Sequence, residues 1–144
     1  MRVALADDAV ILREGLARLL QETGFEVVGM AGDADQLLEL VARSQPEVVI
    51  VDIRMPPSHT DEGLRAAKTI RQKWPAIGIL VLSQHVNARY AIELLSTGTD
   101  GVGYLLKERV TDLAELSASV NRVGDGFVGT AFGHQRQHFA FTLR

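Results

Sequence analysis

With 144 residues, 47% of them hydrophobic and 23% charged, the chain has an ordinary globular composition and enough length for one domain with its own core. This composition excludes a disordered chain, and no apolar run reaches the ~18 residues of a membrane span. The absence of cysteine excludes a disulfide scaffold and thiolate metal sites, and a formal charge of −3 provides no overall basic field for nucleic acid. The opening MRVALADD reaches two aspartates before a signal-like apolar core can form. Secretion is therefore not expected, and a cytoplasmic location is.

The charge is unevenly spread. Residues 1–125 carry 13 Lys+Arg against all 18 Asp+Glu, a net of −5. Residues 126–144 carry two Arg, no acid and four of the five Phe. The break predicts a domain over residues 1–123 and an atypical tail or linker over 124–144.

Val3-Ala4-Leu5-Ala6 predicts the first strand. Leu12, Leu16, Leu19 and Leu20 follow at i, i+4, i+7 and i+8, one face of a helix, and Gly24 suits its C-terminal cap. Phe25 to Ala31 predicts a second strand. Asp33 with Gln36 three residues on resembles a capping box, and Leu37, Leu40 and Val41 continue a helical stripe. Val48-Val49-Ile50-Val51 is continuously apolar and β-branched, which fits the interior of a parallel sheet. Arg54 to Thr60, with Pro56-Pro57, is a loop. Leu64, Ala67, Lys68 and Arg71 lie on a third helix that ends at Trp74-Pro75. Ile77 to Leu82 is a fourth strand, Ala88 to Ser96 a fourth helix stopped by Gly98, and Gly101 to Leu106 a fifth strand. Thr111 is expected to cap a last helix whose Leu113, Leu116, Val120 and Val123 face the core. The pattern is (βα)5, an α/β doubly wound five-stranded parallel sheet covered on both faces.

The polar exceptions to this patterning cluster at one place in each strand. The first strand ends in Asp7-Asp8, the third in Asp52, the fourth in Ser83 and the fifth in Lys107. In an open parallel sheet these carboxyl ends face one crevice. Clustered carboxylates repel one another, and a hard divalent cation such as Mg²⁺ relieves that repulsion. Lys107 adds a point charge suited to a phosphoryl oxygen, and Ser83 adds a hydroxyl. A metal, an ammonium, a hydroxyl and a free carboxylate make a phosphoryl-transfer site in which the carboxylate acts as nucleophile.

Asp7-Asp8, the segment Asp52-Ile53-Arg54-Met55-Pro56, Ser83 after an apolar strand, and Tyr104-Leu105-Leu106-Lys107 together resemble the receiver domain of bacterial two-component response regulators, over residues 1–123. The resemblance implies a flavodoxin-like strand order of 2-1-3-4-5. It implies that Asp52 accepts a phosphoryl group from a sensor histidine kinase, and that the domain catalyses its own phosphorylation and slow dephosphorylation. Asp8, Asp52 and the backbone carbonyl of Arg54 would hold Mg²⁺ or Mn²⁺, with Asp7 acting through a bound water. Lys107 would pair with the phosphoryl group. Ser83 and Tyr104 would switch the surface of the fourth helix, fifth strand and fifth helix, controlling dimerisation or a transcriptional output.

Leu12-Arg13-Glu14-Gly15-Leu16 resembles regulators that carry a LuxR-type helix-turn-helix output domain. No two-helix recognition pattern with a basic face occurs in 124–144, so DNA binding is not expected of these residues. The loop from Met55 to Gly63 is longer than is common in the family. His59 within it reads as a solvated loop histidine, with admission of a phosphodonor or partner as the alternative, and His85 follows Ser83 closely enough to bear on access. His134 and His138, four apart in the tail, read as no more than a weak metal pair. Gln84, Gly103 and Arg54 depart from the usual pattern and are expected to tune phosphorylation and hydrolysis.

Two other readings stand beside this one. A receiver-like dimerisation module that never takes phosphate usually lacks one acid or the lysine, and all are present here. A hydrolase using an aspartyl phosphate commonly has its second acid two residues after the nucleophile, whereas Asp7 and Asp8 are adjacent and Arg54 follows Asp52 by two.

Overall fold

The computed structural model describes residues 1–84, 101–125 and the backbone of 129–130. Its elements run β1 (Arg2–Ala6), α1 (Val10–Glu22), β2 (Glu26–Ala31), α2 (Ala34–Ser44), β3 (Val48–Asp52), α3 (Glu62–Lys73), β4 (Gly78–Ser83), β5 (Val102–Leu106), a 3-10 turn (Lys107–Arg109), α4 (Leu113–Gly124) and β6 (Gly129–Thr130). The sheet is parallel throughout, in the order β2-β1-β3-β4-β5-β6. Its first five members have the expected order. The helix expected over Ala88–Ser96 and its stop at Gly98 lie outside the described residues, as do His85, His134 and His138.

Alternation along the strands decides which face each side chain joins. Val3, Leu5, Val48, Ile50, Leu80, Leu82 and Leu105 turn to one face and meet Leu16 and Leu20 of α1 and Leu116 and Val120 of α4. Ala4, Ala6, Val49, Val51, Ile79, Val81 and Tyr104 turn to the other and meet Leu37 and Val41 of α2 and Leu64, Ala67 and Ile70 of α3. Full burial of each large aliphatic side chain stabilises by about 1.5–3 kcal/mol. With both faces covered, β3 has no polar position before its last residue, so its unbroken β-branched run follows from its place in the sheet.

Local chemistry fixes the helix ends. Asp33 accepts the Gln36 backbone N–H at 2.8 Å, while the Gln36 amide oxygen reaches back to the N–H of Gly32 at 3.0 Å. Gly24 follows α1 at φ 96°, a conformation costly for other residues.

Two expectations need correction. Asp112, not Thr111, caps α4, accepting the Glu115 N–H at 3.1 Å. A carboxylate there also meets the positive end of the helix dipole. Leu113 is 38% exposed. It is the first helical residue, and the covered stripe begins at Leu116. Within the segment expected as a tail or linker, Gly129 and Thr130 pair with Gly103 and Tyr104 and extend the sheet at the β5 edge.

Candidate functional site

The all-parallel sheet delivers the polar strand ends to one side. Asp7 and Asp8 follow β1, Asp52 ends β3, Ser83 ends β4, and Lys107 opens the turn after β5. β1 lies between β2 and β3, so the chain winds in opposite directions from it. That reversal leaves a crevice above the strand ends. The crevice holds about 320 Å³ and is lined by Asp8, Asp52, Arg54, Ser83 and Lys107 among others. A larger hollow of about 490 Å³ lies between the N-terminus of α2 and α3. There Asp33 is engaged as a helix cap and Arg65 pairs with Asp61, so no set of reactive groups converges.

Each site residue is held by its own strand. The Asp7 N–H donates to the Ala31 carbonyl at 3.1 Å, and its Oδ1 accepts the Ala9 N–H at 2.9 Å, the tight turn that starts α1. Arg13 Nη1 donates to the Asp7 carbonyl at 2.9 Å. Neither Asp7 nor Asp8 is the residue that caps α1, a position taken by Ala9. Past Asp52 the chain stays tied to β4 through Ile53 N–H to Leu82 at 3.1 Å. Asp52 Oδ1 accepts a long 3.3 Å bond from the Arg54 N–H.

Lys107 joins two of the acids. Its Nζ donates to Asp52 Oδ2 at 3.0 Å and stands 3.3 Å from Asp7 Oδ2. Asp7 is 0% exposed, Asp52 4%. Burial raises the Asp52 carboxyl above its ordinary range. The hydrogen bond and charge of Lys107 oppose that rise, and the charge of Asp7 adds to it. Burial alone would lower the Lys107 ammonium, but Asp52 and Asp7 outweigh it and the net shift is upward. One ammonium among three carboxylates leaves the crevice negative.

That imbalance suits a cation. One oxygen from each of Asp7, Asp8 and Asp52 lies within 4.8 Å of the other two. Asp7 Oδ2 is buried with no hydrogen-bond partner, although Lys107 is near it as a charge. Hard, partly unsatisfied oxygens of this kind fit Mg²⁺ in size and charge.

The other expected residues lie close by. Ser83, 9% exposed, forms the wall beside Lys107, and Gln84 lies exposed at the rim. The Arg54 side chain is exposed, so at Asp52 its backbone is the nearer group. Tyr104, 2% exposed, has its ring within the core.

Three residues were not foreseen in these roles. His59 Nε2 lies 2.8 Å from Asp8 Oδ2, so the loop histidine is not simply solvated. Glu62 gathers the loop, accepting the N–H groups of Ser58 and Thr60 and the Ser58 hydroxyl. Gly63 lets α3 start directly against the end of β3, because a Cβ there would stand 1.7 Å from the Asp52 carbonyl oxygen. The sequence did hold one signal for these, an acid and a glycine side by side at the start of α3, four residues after Ser58.

A doubly wound sheet of this order with acids and a lysine at its switch point is the plan of a receiver. The chain belongs to the response regulator receiver domain family, whose model matches residues 3–121. It is 33% identical over 135 residues to the transcriptional regulatory protein DegU of Brevibacillus brevis, covering 93% of this chain and 55% of that one. It is 30% identical over 129 residues to the oxygen regulatory protein NreC of Staphylococcus haemolyticus, covering 89% and 58%. The chain thus spans little more than half the length of these relatives.

Among solved structures it resembles a LuxR-family two-component response regulator from Aurantimonas sp. SI85-9A1, with a TM-score of 0.78, 27% identity, and coverage of 99% of this chain and 94% of that one. It also resembles the non-phosphorylated receiver domain of RcsB from Escherichia coli, with a TM-score of 0.76, 25% identity and coverage of 90% and 97%. The LuxR-type resemblance read from the sequence agrees with these relatives. No helix among the described residues is long and apolar enough to cross a membrane.

Proposed function

We propose that Asp52 accepts a phosphoryl group from the phosphohistidine of a sensor kinase. The observation that carries this reading is Lys107 Nζ, 3.0 Å from Asp52 Oδ2 and 3.3 Å from Asp7 Oδ2. The lysine sits where a new phosphoryl oxygen on Asp52 would need a counter-charge. An Asp52 oxygen attacks phosphorus, the phosphorus–nitrogen bond breaks, and its electron pair returns to the donor imidazole. Lys107 holds the acceptor before transfer and turns to the phosphoryl oxygens after it. Ser83, at the end of the neighbouring strand, supplies a hydroxyl to the same group.

Asp8, Asp52 and the Arg54 carbonyl would hold Mg²⁺ or Mn²⁺, with Asp7 behind them. Bound there, the ion supplies positive charge that offsets the carboxylates and the phosphoryl oxygens. Movement of Ser83 toward the phosphoryl group, coupled to Tyr104 in the same sheet layer, would change the surface around β5 and α4 and with it dimerisation or a transcriptional output. The regulatory names of DegU and NreC support such an output in the whole protein.

The test is the intact mass of the chain after incubation with Mg²⁺ and a small acyl phosphate. The wild type should gain one phosphoryl mass, and both Asp52→Asn and chelator should abolish the gain. No adduct in the wild type, together with stable dimers in its absence, would favour the phosphate-independent dimerisation module instead.

A further inference from the structure

The loop between β3 and α3 is tied on both sides of one residue. The Glu62 carboxylate accepts the Ser58 N–H at 2.8 Å and the Thr60 N–H at 3.1 Å. Between them His59 donates its own N–H to the Met55 carbonyl at 3.0 Å and sits at φ 57°, in the left-handed region. This backbone directs the imidazole over the crevice, with Nε2 2.8 Å from Asp8 Oδ2. The oxygens that converge within 4.8 Å belong to Asp7, Asp8 and Asp52, and the imidazole is not part of that set. It reaches one carboxylate of the three without joining the group. A hydrogen bond to Asp8 and a cation on Asp8 draw on the negative charge and lone pairs of one carboxylate.

We infer that His59 holds Asp8 in competition with divalent cations, so that the loop from Met55 to Glu62 weakens ion binding and sets the ion concentration at which the site becomes competent. The inference rests on the reading of Asp8 as an ion ligand. A contact that must break before a ligand is bound lowers apparent affinity by the fraction of time it is made. The two side chains are 53% and 32% exposed, so water screens the contact and the effect is graded.

Mg²⁺ alone, titrated calorimetrically into the full chain, tests this in the wild type, His59→Asn and His59→Gln. Asparagine tolerates the left-handed backbone but is too short to reach Asp8. Glutamine carries an amide N–H at about the reach of Nε2. The Asn variant should bind Mg²⁺ roughly three- to tenfold more tightly than wild type, as expected for loss of one screened hydrogen bond to a charged group. The Gln variant should stay near the wild-type Kd. Equal affinity in Asn and wild type overturns the competition while leaving the ion site in place. Weaker affinity in Asn overturns it in the other direction, making the imidazole a support for the ion. No binding heat in any of the three overturns both the inference and the ion site beneath it.

Discussion

Ile50 and Asp52 lie two residues apart on β3 and are almost equally hidden, at 0% and 4% exposure. Their burial has opposite consequences. Ile50 is covered by apolar side chains from α1, α4 and the neighbouring strands, and every contact it makes favours the fold. Asp52 is covered too, but its charge loses water, and a lysine 3.0 Å away restores part of that loss. One strand therefore carries a segment that stabilises and an end that is held in place at a cost. Functional sites commonly carry local costs of this kind, offset elsewhere in the fold.

The largest expected effect breaks the stabilising half. Ile50→Ala should lower unfolding stability by about 2–5 kcal/mol, read from the urea midpoint, and Mg²⁺ should not restore it. The next breaks the other half. Lys107 is 16% exposed at its side chain, and Lys107→Met would leave Asp7 and Asp52 buried without their cation. A loss of about 3 kcal/mol is expected, and here added Mg²⁺ should recover most of it. Equal insensitivity of both variants to Mg²⁺ would dissolve the distinction between the two ends of β3.

The smallest effect concerns the loop beside them. The Ser58 hydrogen bonds hold the Glu62 carboxyl down at about 2, from an ordinary value of 4.5. A depressed carboxyl contributes stability that is complete above the unfolded value and is lost as the folded group takes up its proton. The stability difference between wild type and Glu62→Gln should thus be constant near neutrality and shrink between pH 4.5 and about 2. A difference that persisted to pH 2 would mean that the carboxylate is not what ties the loop.

Much of this was legible in the amino-acid sequence, for physical reasons. A run such as Val48 to Val51 fits few places other than the middle of a covered parallel sheet. Once the strands are placed, Asp7, Asp8, Asp52, Ser83 and Lys107 must share an edge, because parallel strands present their ends together. The loop contacts were not legible. His59 meets Asp8 across 51 positions, and only the turn at Ser58–Glu62 and the left-handed φ bring it there. The cap of α4 was misplaced by one residue because Thr111 and Asp112 are both good caps, and the choice between them is set by where the preceding turn ends. Composition marked 124 as a break, yet backbone pairing at Gly129–Thr130 ignores side-chain composition altogether.

The proposed role of the negative end of β3 is to take a phosphoryl group. It is tested most directly by treating the chain with a small acyl phosphate and Mg²⁺, digesting it rapidly, and locating the added mass among the peptides. One adduct is expected, on the peptide that contains Asp52 and on that residue. An adduct on any other residue, or one that persists in Asp52→Asn, would contradict it.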